Sequence, residues 1–234
     1  MTADAPGPVP SSVPPTDAPL TDAQKSLRAQ MLATEHWSLL ASRSTTQSEV
    51  LTRIAIFLTL VSAGLVTLGV LGNATGFRGW FGLAAIGVLV LLVLLGIITQ
   101  IRVFNTATED LAYVLAMNRL RGAYVDLDPG IEPYLLMGTT DDAPGIHRTY
   151  FPFATRDRSQ VFASSMMVML VVNTAIGGLL IGALVYATTG SAGWALAVGA
   201  VLAVAAFVLW MRWGYRSYTH ILRVHVPLRR SPDA

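Results

Sequence analysis

Residues 80–101, WFGLAAIGVLVLLVLLGIITQI, run for 22 positions without a charged side chain. At about 1.5 Å per residue a helix of that length spans the ~30 Å hydrocarbon core of a bilayer. The run has no period-two alternation and is far too long for a strand, so it reads as a transmembrane helix. Three more runs match it in character: Ile54 to Gly72, Val161 to Ala187, and Ala192 to Met211. The run from Val161 to Ala187 is long enough to need tilt or to project into water. The composition agrees, with 53% hydrophobic and 13% charged residues, against about a quarter charged in soluble domains. The expected fold is an all-α membrane protein with four transmembrane helices arranged as two hairpins.

Arginine sets the orientation. The loops 73–79 and 188–191 contain one basic residue, Arg78, while the other fifteen of the sixteen Lys and Arg lie in the N-terminal arm, the central segment, the C-terminal tail or adjoining helix ends. The positive-inside rule places these three segments, and so both termini, in the cytoplasm of a cell bounded by the plasma membrane. Trp80, Tyr186 and Trp194 then mark the outer interface, and Trp210, Trp213, Tyr215 and Tyr218 the inner one.

The remaining chain divides around these spans. Residues 1–19 are Pro-rich and lack the apolar material for a core, so they are expected to be a disordered tail. Thr21-Asp22-Ala23-Gln24 reads as a capping box that opens an amphipathic cytoplasmic helix over 20–50. Its Ser/Thr-rich stretch from Ser42 to Ser48 is either a hinge or the polar start of the next helix. The first hairpin occupies 51–101, a cytoplasmic helical segment and loop 102–160, the second hairpin 161–211, and a basic cytoplasmic tail 212–234. In the central segment two apolar stripes, Ala107–Leu111–Leu115 and Tyr113–Met117–Leu120–Tyr124, give one helix two faces that need partners, from a bundle or an oligomer.

The strings Glu35-His36-Trp37-Ser38-Leu39-Leu40-Ala41, Met117-Asn118-Arg119-Leu120-Arg121, Glu132-Pro133-Tyr134 and Asp141-Asp142 resemble a family of uncharacterised actinobacterial integral membrane proteins. The resemblance covers most of the chain after residue 19 and implies a four-span membrane fold, with no activity attached.

Chemical motifs are sparse. Asp126-Leu127-Asp128, Asp141-Asp142 and Glu109-Asp110 could offer oxygen ligands, but no cation-loop pattern surrounds them and they are expected to be solvated charges. His36, His147, His220 and His225 lack metal-ligand spacing, and the sequence has no cysteine. No metal, cofactor, nucleic acid or enzymatic chemistry is expected. Inside the spans no ionisable group sits at mid-depth, which argues against coupled transport. The mild polar residues Thr59 and Ser62 in the first span, and Asn173 and Thr174 in the third, could pack helices or line a pore. Gly178 and Gly182 continue a small-residue stripe suited to close helix approach. Arg212, Arg216 and Arg223 share a helix face where they could meet lipid headgroups. Two functions remain: a non-enzymatic homo-oligomer, pore- or channel-forming, and a membrane scaffold or sensor whose cytoplasmic helices dock a partner protein.

Overall fold

The computed structural model describes residues 20–153 and 164–232. The expected tail 1–19, the end of the central segment at 154–160, the first residues of the second hairpin at 161–163 and the end of the basic tail at 233–234 lie outside the described residues. Five α-helices follow in order: α1 (Asp22–Thr75), α2 (Phe81–Leu127), α3 (Ala143–Tyr150), α4 (Ser165–Thr189) and α5 (Ala192–Val224), with a short 3-10 turn at Pro129–Tyr134. No strand occurs among the described residues. Four of the helices, α1, α2, α4 and α5, are long and apolar enough to cross a membrane. The chain is a multi-pass, all-α membrane protein.

Local chemistry sets the helix ends. Thr21 accepts from the Gln24 backbone N–H while the Gln24 side chain accepts from Thr21 N–H, the reciprocal capping box. From there α1 runs 54 residues without a break, to Gly76 in the left-handed conformation. The Ser/Thr-rich stretch is not a hinge: Thr45, Ser48 and Thr52 return their hydroxyls to carbonyls three or four residues back, which keeps polar side chains satisfied inside a helix. Ser164 and Ser191 cap α4 and α5 by accepting from Met167 and Trp194 N–H.

α2 is central. It runs antiparallel to α1, with Phe57 beside Gly96, Glu49 bonded to Arg102, Asp110 to Arg43, and His36 stacked on Tyr124. Val50, Ile54, Phe57 and Val61 of α1, Leu89, Leu92 and Val103 of α2, and Met169 and Ile176 of α4 form one buried cluster. α5 packs on α4 through facing small residues, and on α2 where Phe104 lies against Gly214. A second cluster lies beyond the apolar spans: Leu111, Val114, Leu115 and Met117 of α2 with Ile146 of α3, flanked by Leu39, Tyr150, Tyr218, Ile221 and Leu222. Leu111 and Leu115 of one α2 stripe, and Tyr113, Met117 and Tyr124 of the other, therefore find partners within the chain. Three helices continue unbroken beyond their apolar runs and are joined there by α3, forming a platform at one end of the bundle.

Candidate functional site

The platform is held by carboxylates that contradict their expected solvation. Asp141 is 0% exposed and Asp142 is also buried. Together they clamp the segment after α5. Leu228 and Arg229 N–H donate to the Asp141 carboxylate at 3.1 and 2.8 Å, and Arg119 Nε donates to it at 2.6 Å. Asp141 N–H donates in return to Arg229 O at 3.2 Å. His225 Nε2 lies 2.8 Å from Asp141 O, a bond that requires the proton on Nε2. Asp142 accepts from Ser231 N–H, from Ser231 Oγ at 2.9 Å and from Thr140 Oγ1 at 2.8 Å, while its Oδ1 caps α3 through Gly145 N–H at 3.1 Å. Burial pushes the Asp141 carboxyl up, but the Arg229 and Leu228 amides and the Arg119 guanidinium outweigh it and hold it below the usual value. Asp142 is likewise lowered: burial pushes it up, and the Ser231, Thr140 and Gly145 donors pull it further down. Each of these oxygens already accepts from a protein donor. Among the described residues no three His, Asp or Glu side chains converge as a metal site would need.

A second node joins α1, α2 and α3. Asp110 accepts from Arg43 Nε at 2.6 Å, Gln47 Nε2 at 2.8 Å and Tyr150 Oη at 2.8 Å. Burial, then the neighbouring Asp110 charge, raises the Tyr150 phenol far above its ordinary value, so it remains a donor at any physiological pH. Buried Asn118 donates to Thr140 O at 2.9 Å and accepts from Thr149 Oγ1 at 2.8 Å, which ties α2 to both ends of the α3 loop. Glu109 and Glu49 share Arg102, and Asp126 takes Arg229.

Between α1, α2 and α5 this bracing leaves an open groove of about 620 Å³. Its walls are apolar, with Leu39, Leu115, Leu120, Ile221 and Val224, and its rim carries Glu35, Arg119 and His220.

The residues singled out inside the spans do not converge. Thr59 and Ser62 sit on the exposed face of α1 with their hydroxyls bonded back to Ala55 O and Leu58 O. Asn173 is buried between α4 and α2, its amide oxygen against Gly96, and makes no hydrogen bond among the described residues. Thr174 bonds its own helix at Leu170 O. Gly178 and Gly182 face α5, where an added Cβ at Gly178 would stand 2.8 Å from Ala203 Cβ and from Gly199 O. The stripe packs two helices of one chain. Arg212, Arg216 and Arg223 are exposed on α5 and make no ion pair among the described residues. Gln100 escaped notice in the sequence because it ends an apolar run; it is 0% exposed, and neither amide atom meets a partner.

No known family profile, curated protein or solved structure matches the chain.

Proposed function

We propose that the chain is a non-enzymatic membrane scaffold. Its spans form two transmembrane hairpins in the plasma membrane, both termini lie in the cytoplasm, and the platform groove docks one apolar-faced helix of a partner protein. The observation that carries the reading is where the groove lies. It opens at the junction of α1, α2 and α5, and each of these helices continues unbroken into a membrane span. A helix laid there buries Leu39, Leu120, Ile221 and Val224 and sets its charges against Glu35 and His220, the helix-in-groove mode of recognition. Docking at that junction is felt directly by three spans, which suits a scaffold that also senses its partner.

Assembly into a homo-oligomeric pore is the competing outcome. Of the two features that suggested it in sequence, the Gly178/Gly182 stripe is occupied within the chain, and the α2 extension is covered apart from its groove face at Leu120. Two measurements separate the readings. Purified protein in liposomes should pass no ions. A photo-crosslinking side chain at Leu120 should capture a partner in cells, the adduct should be lost in Ile221→Glu at unchanged thermal stability, and it should carry no second tag when two tagged copies are coexpressed. Ion flux, or an adduct always carrying the second tag, overturns the scaffold in favour of self-assembly.

A further inference from the structure

α5 is the least enclosed of the four spans, with only Ala195 and Gly199 buried among its residues. At the end of its apolar run an open groove of about 390 Å³ lies between α5 and α2, lined by Ile101, Ala206, Leu209, Trp210 and Trp213. Its floor is fixed. Phe104 is wedged against Gly214 and meets the Trp210 and Trp213 rings at centroid distances of 5.7 and 5.2 Å. Indole pairs at this depth sit where hydrocarbon gives way to headgroups. Helical spacing then places Arg216 in line with Leu209 and Trp213, at i, i+4 and i+7, with Arg212 on the same edge. Arg216 stands only ~5 Å beyond Trp213 along the axis. Both arginines are exposed and make no ion pair among the described residues, whereas Arg102, beside Ile101, is committed to Glu109 and Glu49.

We propose that this groove binds one anionic phospholipid of the inner leaflet, an acyl chain lying on Leu209, Trp210 and Trp213 and the phosphate held by Arg212 and Arg216. The proposal rests on the reading that this end of the spans meets the inner leaflet. An apolar trough at bilayer depth is filled by lipid tails whatever the headgroup, so the two free guanidiniums at its mouth supply the selectivity. Arg can grip a phosphate bidentately, and near a membrane the pair is less screened than in water. Arg223 stands ~16 Å further along the helix than Arg212 and lies outside this reach.

The test uses the full chain in nanodiscs with Trp37, Trp80 and Trp194 changed to Phe, which leaves the groove pair as the only indoles. Brominated phosphatidylglycerol and brominated phosphatidylcholine are titrated separately as quenchers. The anionic lipid should quench at a several-fold lower mole fraction. Arg212→Gln with Arg216→Gln should erase that preference while quenching by the zwitterionic lipid persists, and Arg223→Gln should leave the preference intact. Excess soluble glycerol phosphate should not displace the lipid. Equal quenching by both lipids, equal loss in Arg223→Gln, or displacement by glycerol phosphate overturns the site. Nanodiscs offer both leaflets, so this result does not depend on orientation, and a failure here is distinct from a failure of the topology.

Discussion

Replacing Asp141 by Ala should release the segment after α5 without unfolding the spans. The carboxylate accepts two backbone N–H groups, Leu228 and Arg229, and pairs with a partly exposed Arg119. A hydrogen bond to a charged group contributes about 1.5–3 kcal/mol, so the two amides alone, at the lower figure, hold the clamp by about 3 kcal/mol. Because Arg119 faces water along part of its length, its share is left out of that figure. Loss of about 3 kcal/mol raises the open population by roughly two decades. Trypsin reads this directly, since Arg229 and Arg230 lie within the clamped stretch. When opening is fast relative to cleavage, the cutting rate follows the open population. Intact-mass analysis of detergent-solubilised protein should show cleavage after Arg229 or Arg230 accelerated on the order of 100-fold in the Ala variant, and less in Asp141→Asn, which keeps one acceptor oxygen. Cleavage at exposed Arg28 serves as the control and should not change. Equal rates at Arg230 in wild type and variant would show that Asp141 does not hold the segment, and the assignment of the clamp would fall.

Acid should open the same clamp late. Asp141 and Asp142 both titrate below their unfolded values, so their stabilisation is complete above about pH 4 and is lost as pH falls through the lower folded-state values. Intrinsic-rate-corrected amide protection at Arg229 and Ser231 should stay flat from pH 8 to about pH 5 and collapse only below pH 4; a loss near pH 6 would show that the two carboxylates do not hold the clamp. Gly178→Leu should lower thermal stability by at least the 1–3 kcal/mol typical of overpacking, through separation of α4 from α5, with the mass in detergent unchanged. A changed oligomer mass at unchanged stability would move that stripe to a subunit interface. Gln100→Leu should raise the melting temperature, because a fully buried amide without partners forfeits about 1–3 kcal/mol; a fall would show that Gln100 is bonded.

The spans were legible because burial in lipid demands runs of about 20 apolar residues, and that demand is local in sequence. The capping box at Thr21 and Gln24 was legible for the same reason. The stretch from Ser42 to Ser48 was ambiguous, since short hydroxyl side chains serve loops and helices alike; α2 decides it by placing Asp110 opposite Arg43 and Gln47. The start of α3 carries a local signal of its own. Asp142 followed by Ala143 and Pro144 is an N-cap with Pro in the first turn. The clamp carried no such signal, because its partners are separated by 87 to 89 positions and paired aspartates in a turn look solvated until the segment that covers them is in place.

Everything proposed for the platform requires it to lie wholly on one side of the membrane, opposite the turns at 76–80 and 190–191. Thr140 and Ser231 lie inside the clamp, so single cysteines belong instead at exposed Gln30 and Arg230, and at Ala74 and Thr189 near the two turns. An impermeant thiol reagent applied to intact cells should label Ala74→Cys and Thr189→Cys at once, and Gln30→Cys and Arg230→Cys only after permeabilisation. Labelling of Gln30→Cys or Arg230→Cys from outside intact cells would contradict the account, because the groove would then open away from the cytoplasm.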